Sequence, residues 1–306
     1  MEQKKNVPSP KPSAKENAKI FNNQTTVQAV HAQNRSPEKF EVIDVDGSDS
    51  EGDSSRQAFS VPDPEFNDFD KEKEGSFAVD QFWACYDHDG LPRYYAQIRK
   101  VYMTPFRLRI TWLEADPDDE GEIDWARGGL PVGCGKFKYG VSQNETNIDT
   151  FSHPMVCKKG KARGTFMVYP RIGETWALFK DWDISWGVNP EHHKQLKYEI
   201  VEIVSDFLED AGVEVAFLER LNGFVSLFQR SQNRAHSNFL VPATEMFRFS
   251  HRVPSFKMSG TEKDGVPEGS FELDPACLPA NSDDICNPSV TDTDAKITDS
   301  SKPTNG

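Results

Sequence analysis

The stretch Phe82-Trp83-Ala84-Cys85-Tyr86-Asp87-His88-Asp89-Gly90-Leu91-Pro92 decides the fold class. Its first five residues are aromatic or apolar without helical spacing, and the Asp/Gly/Pro cluster behind them is turn chemistry. Residues 93–101 alternate and return as a second strand, and Leu108, Ile110 and Trp112 alternate on one face of a third. Three short strands joined by tight turns predict a small antiparallel barrel or meander.

Working outward, residues 114–124 carry Glu114, Asp116, Asp118, Asp119, Glu120, Glu122 and Asp124 with no base among them, the pattern of a solvated loop. A second β stretch starts at Thr165-Phe166-Met167-Val168-Tyr169-Pro170 and runs through Trp176 to Trp186. Leu196, Ile200, Ile203, Val204, Phe207 and Leu208 fit a helical stripe, yet residues 198–204 are β-branched. A hairpin turning at Asp210-Ala211-Gly212 and returning through residues 213–218 is the preferred reading. Residues 223–228 form one further expected strand.

Two signatures recur. Trp83-Ala84-Cys85-Tyr86-Asp87 is echoed by Trp176-Ala177-Leu178-Phe179-Lys180-Asp181, and Phe151-Ser152-His153 by Phe249-Ser250-His251. Their similar separations, about 93 and 98 residues, point to duplicated units; chance similarity of short segments is the alternative. The expected fold class is mostly β (α+β): one composite domain of small antiparallel SH3/Tudor-like barrel units, with long disordered tails. Its expected limits are residues 77–280, between a disordered region at 1–76 and a disordered tail at 281–306.

Composition supports that division. Hydrophobic residues make up 36% of 306, low for a chain that is globular throughout, and all six Trp and all seven Tyr lie in the middle. The net charge of −14 opposes wholesale nucleic-acid binding, apart from the minor basic loop Lys158-Lys159-Gly160-Lys161-Ala162-Arg163. Five scattered cysteines without a CxxC argue against a secreted disulfide framework. No apolar run is long enough for a membrane helix, and the start lacks a signal-peptide core. The expected location is the nucleus, with the cytoplasm as the alternative.

The same segments resemble a known family. Residues 82–84 with Asp89-Gly90-Leu91-Pro92-Arg93-Tyr94-Tyr95-Ala96, Cys134-Gly135-Lys136-Phe137, residues 169–178, residues 223–228, Arg248-Phe249-Ser250-His251-Arg252-Val253-Pro254-Ser255-Phe256 and residues 268–276 are similar to the plant domain of unknown function that commonly follows the J domain of DnaJ-type heat-shock proteins. Asp63-Pro64-Glu65-Phe66 resembles the segment leading into it. No His-Pro-Asp tripeptide occurs, so J-type stimulation of a heat-shock ATPase is not expected, and the chain is either a member standing without a J domain or a shortened form. The resemblance implies no catalytic residues.

Three candidate sites follow. Trp83, Tyr86, Tyr95 and Trp112 in one unit, with Trp176, Phe179 and Trp182 in the other, are candidates for an aromatic pocket holding a methylated ammonium group, as on a modified histone tail. The competing reading makes these rings core. Val42, Ile43 and Val45 in an acidic stretch look like a SUMO-interacting motif, which adds a strand to a sheet edge. Ser48 and Ser50 each precede an acid by three residues and are phosphorylation candidates. Metal and cofactor sites are not expected: the histidines lack zinc-type spacing, and no phosphate loop or nucleophile elbow occurs. The expected function is a non-catalytic protein-interaction module, in a nuclear regulatory or chromatin-linked assembly. The alternative is a J-domain-less accessory factor binding chaperone clients.

Overall fold

The computed structural model describes residues 76–189, 195–231, 239–262 and 264–286. Chain contacts divide the protein into two units, residues 54–86 with 90–306, and residues 1–53 with Asp87–Asp89. All the strands below lie in the first unit, and of the second only Asp87–Asp89 is described. The motif carrying Val42, Ile43, Val45, Ser48 and Ser50 lies outside the described residues, as does Asp63–Phe66.

The expected turn-linked strands form two curled antiparallel sheets. The first contains β1 (Phe82–Cys85), β2 (Tyr94–Met103), β3 (Phe106–Ala115), β4 (Gly135–Glu145), β5 (Phe151–Met155), β6 (Lys158–Lys159) and β7 (Thr165–Val168), in the order β5-β1-β2-β3-β4-β7-β6. The second contains β8 (Thr175–Phe179), β9 (Tyr198–Ile203), β10 (Gly212–Arg220), β11 (Leu227–Arg230), β12 (Phe239–Pro242), β13 (Phe249–Arg252), β14 (Ser255–Lys257) and β15 (Phe271–Leu273). Its order is β13-β8-β9-β10-β11-β15-β14, with β12 also on β10. The two orders are one plan, with β11 and β12 together standing where β4 stands. In each sheet a four-strand meander is followed by a strand that returns beside the first, directly after a 3-10 turn (Ile148–Thr150 or Ala243–Arg248). That is the order of the SH3/Tudor-like unit, extended by one hairpin.

Matching extends to side chains. Cys85 pairs with Phe151 as Leu178 pairs with Phe249. The Trp83 ring meets Phe151 edge-on at 6.2 Å, and Trp176 meets Phe249 edge-on at 5.8 Å. Each indole N–H donates to the side chain two residues earlier, Gln81 or Glu174, at 2.9 Å. The repeat of two short signatures is therefore a repeat of structure.

Two apolar layers hold the sheets. The β3 residues Leu108 and Ile110 point into the curl of the first sheet, and Tyr95, Leu113, Phe137 and Phe166 lie on its opposite, outer face. That outer group is buried in one core with Trp176, Leu178, Val201, Ile203, Val213 and Val215 of the second sheet. A Trp buried to this degree removes roughly 150–250 Å² from water, worth on the order of 4–6 kcal/mol. A second core gathers Phe179, Ile200, Leu218 and Phe228 with Trp125, Trp186 and Phe247.

The acidic stretch after β3 differs from the expected loop. Glu120–Arg127 is a helix, α1. The Asp119 side chain accepts from the backbone N–H groups of Gly121 and Glu122, Glu120 and Glu122 face the positive N-terminal end, and Arg127 lies in the last turn. Trp125 anchors it, stacked on Trp186 with ring centroids 5.8 Å apart. Asp119, Glu120 and Glu122, which read as solvation, are capping and first-turn acids of a helix around one buried indole, while Asp116 and Asp118 pair with Lys136 and Lys138. Residues 223–226 also differ, forming the turn before β11 rather than strand.

The segment leading into β4 packs closely on β13 at Gly133, where an added Cβ would lie 2.2 Å from the Ser250 carbonyl oxygen. The Gly133 carbonyl in turn accepts the buried Tyr95 hydroxyl at 2.7 Å. Gly133→Ala is expected to lower stability by about 2–3 kcal/mol or more, because backbone and not a flexible side chain must yield. Urea unfolding of the purified variant against wild type measures it.

Candidate interaction surface

Of the seven aromatic candidates, Trp83, Tyr95, Trp112, Trp176 and Phe179 are buried, whereas Tyr86 and Trp182 are half-buried. The five buried rings pack into the interior among the described residues. Trp83 lies against Phe77 and Phe151, Tyr95 against Phe137, Trp176 against Phe249, and Phe179 against Trp125 and Tyr198. Short strands of a small barrel supply little buried area unless they carry large rings, so the rings do the work of core.

Tyr86 instead belongs to a buried polar group that joins the two repeat signatures. The Cys277 thiol lies 3.3 Å from the Ser152 hydroxyl, and it donates to the Asp274 carboxylate at 3.3 Å. The Cys277 carbonyl accepts from His251 Nε2 at 2.9 Å. That bond fixes the His251 tautomer, so Nδ1 accepts the Ser250 hydroxyl at 2.9 Å. The equivalent Ser152–His153 pair lies at the same distance. One residue of the C-terminal segment thus clips both Phe-Ser-His strands. Nothing in the sequence marked it, since Cys277 lies far along the chain and follows no spacing rule.

Electrostatics keep these groups in their neutral forms. Burial, the Arg93 charge and the Cys277 carbonyl act on His251, the last in the opposite sense, and hold it at about 3. Burial, Arg252 and His251 likewise hold His153 well below the usual imidazole range. Burial and then Asp274 push the Cys277 thiol up, and burial and then Glu174 do the same to Cys134. A protonated thiol beside a neutral imidazole is the opposite of an activated pair. Elsewhere, Asp87, His88 and Asp89 bring three ligand atoms within 4.8 Å of one another. Sequence adjacency and two local contacts, Asp89 N–H to Asp87 at 2.9 Å and His88 to Asp89 at 3.3 Å, account for that grouping.

The outer face of the first sheet changes character along its length. Register places Tyr95 and Gln97 of β2 beside Leu113 and Thr111 of β3, and a bulge between Ile98 and Lys100 carries the row on. Lys100 then lies opposite Arg109, and Tyr102 opposite Arg107. Ser142 and Asn144 of β4 continue the row from Thr111 and Arg109. The apolar end is the part buried against the second sheet. The middle is hydroxyl and amide: Tyr139 donates to Gln97 at 2.7 Å, and Thr111 meets Ser142 at 2.7 Å. The far end is basic, with Lys100 and Arg107 over the Tyr102 ring at 4.7 and 4.4 Å, and Arg99 over Tyr139 at 5.1 Å. Sequence reading picked out the short loop at 158–163 and missed these cations, which meet only through cross-strand register.

Residues 55–262 match the family described as Domain of unknown function (DUF3444). The chain belongs to this family. No curated protein and no solved structure matches it. The DUF3444 segment takes in the whole first sheet and the second except β15, so the paired repeats and the basic outer face lie within the matched residues.

The buried imidazoles give a pH dependence with a definite sign. An unfolded His takes up a proton near pH 6.5, which folded His251 refuses until about pH 3. Their stabilising contribution is complete above pH 6.5 and is lost as pH falls toward 3, by up to about 1.4 kcal/mol per pH unit for each such His. Urea midpoints at pH 7.5, 6 and 5 should therefore decline. His251→Asn should be less stable at pH 7.5 but show a shallower decline.

Proposed function

We propose that this chain is a non-catalytic interaction module, acting in a nuclear regulatory or chromatin-linked assembly. One observation carries the reading: Cys134, Cys277, His153 and His251 sit in the interior in unreactive forms, while Arg99 and Lys100 of the outer face stand exposed and Arg107 and Arg109 beside them are half-buried. Burial of a Cys/His group without an opening to it is what a structural clip needs, and the reverse of what a nucleophile needs. A face that leaves its charges open to solvent offers them to a partner.

Protein partners enter through the acidic segment outside the described residues. Val42, Ile43 and Val45 would add as a strand to the edge of a SUMO-type sheet, the surrounding acids meeting its basic rim. Phosphorylation of Ser48 or Ser50 would add negative charge to the same contact. The nuclear setting accords with that motif and with the basic run at 158–163. Burial of the Trp-Ala rings favours this reading over a methyl-ammonium reader built on Trp83 and Trp176. On SUMO beads the full-length chain should be retained, and Val42→Ala/Ile43→Ala should be lost to the background of empty beads. Equal retention of the two would remove the SUMO contact from the proposal.

A further inference from the structure

We infer that the outer face of β2, β3 and β4 binds the sugar–phosphate backbone of a nucleic-acid strand. Lys100 and Arg109 are direct cross-strand neighbours, an arrangement of like charges that costs a sheet stability. Arg107 and Arg99 crowd the same region, and none of the four forms an ion pair among the described residues. The protein supplies counter-ions elsewhere on the same sheet. Lys136 is bound by Asp118 at 2.7 Å and Asp116 at 3.2 Å, and Lys138 by Asp116 at 2.9 Å. In a chain of net charge −14, four clustered cations left without acids are a charge that a polyanion completes.

The fold does not impose this charge, because the second sheet repeats the register without it. The place of Arg109 is taken by Glu214, that of Thr111 by Ala216, and that of Gln97 by Glu202. Where Tyr139 donates to Gln97 in the first sheet, Arg230 donates to Glu202 at 2.6 Å in the second. The equivalent face is acidic there, and its Glu202 is paired within the sheet.

One feature favours a nucleic-acid backbone over an acidic peptide. The row beside the cations is hydroxyl and amide, the side chains that share phosphate and sugar contacts. The four cations lie on two adjacent strands, a set of charges for several phosphates rather than one anion.

The test is fluorescence anisotropy of the full-length protein with a labelled 20-nucleotide single strand, a 20-base-pair duplex and a poly-glutamate peptide, at 50 and 200 mM salt. Saturable binding of a nucleic acid at 50 mM salt is expected. With four phosphates neutralised on a single strand, affinity should fall roughly 50-fold across that salt range. Arg107→Gln/Arg109→Gln should weaken binding about tenfold or more at 50 mM salt and reduce the salt slope by about half. Lys136→Gln/Lys138→Gln, which removes cations already neutralised, should bind as wild type. Circular dichroism and the urea midpoint of Arg107→Gln/Arg109→Gln should match or exceed wild type, since a like-charge neighbour is relieved. No saturable nucleic-acid binding, equal loss in both double variants, or tighter binding of poly-glutamate would overturn the proposal. SUMO retention depends on Val42 and Ile43, so either proposal can fail while the other stands.

Discussion

The outer face of the first sheet can be apolar for only half its length, because the second sheet covers only that half. Tyr95, Leu113, Phe137 and Phe166 enter a shared core with Trp176 and its neighbours. Gly133 lets the two backbones close where any Cβ would collide with Ser250. Strand polarity does the rest: a β row that starts at Tyr95 must run on, two residues at a time, past the edge of the covered region. Beyond it the sequence places Gln97 and Thr111, buried but hydrogen-bonded, and then Lys100 and Arg109 where the row opens to water. One contact between sheets therefore sets both where the core is and where an exposed face begins.

Each curl is small, and neither sheet is a self-sufficient barrel. The loops that border the strand ends have been used to join them. α1 follows β3 of the first sheet, the 3-10 turn Ile184–Gly187 follows β8 of the second, and Trp125 stacks on Trp186 where they meet. Glycine makes that approach possible too, since a Cβ at Gly187 would lie 2.5 Å from the Trp125 nitrogen. Cys277 supplies the third tie by meeting Ser152 of one repeat and His251 of the other. Desolvated polar groups of this kind hold only when partnered, so the cluster adds specificity of docking to the nonspecific burial around it.

How much could be read beforehand follows from the range over which each signal acts. Turn chemistry and strand alternation are local, and they placed β1, β2, β3 and the β9–β10 hairpin. In that hairpin, β-branched residues outweighed a helical stripe because Ile200 and Val201 face two different cores. The acidic run misled because Asp119 and Glu122 serve equally well in a solvated loop and at a helix start, and only burial of Trp125 decides between them. The Trp-Ala and Phe-Ser-His repeats were visible, but that they pair with each other in both sheets is a long-range fact. The basic face was hidden for the same reason: Lys100 and Arg109 are nine residues apart in sequence, and a bulge sets which side each one takes.

The paired sheets also separate what the fold requires from what it merely permits. At equivalent positions inside the curl the chain places Ile98 and Ile203, Leu108 and Val213, Ile110 and Val215, Trp112 and Phe217. Apolar character is held there, though not exact volume, because a polar group in a packed interior would go unpartnered. On the outer face the same comparison sets Arg109 against Glu214, a reversal of charge, and Gln97 against Glu202, a gain of one, with the hydrogen-bond ladder intact. Surface substitutions of this kind cost a sheet little. Opposite choices at matched sites therefore reflect what each face meets, and the two halves of one architecture have been given different surfaces to present.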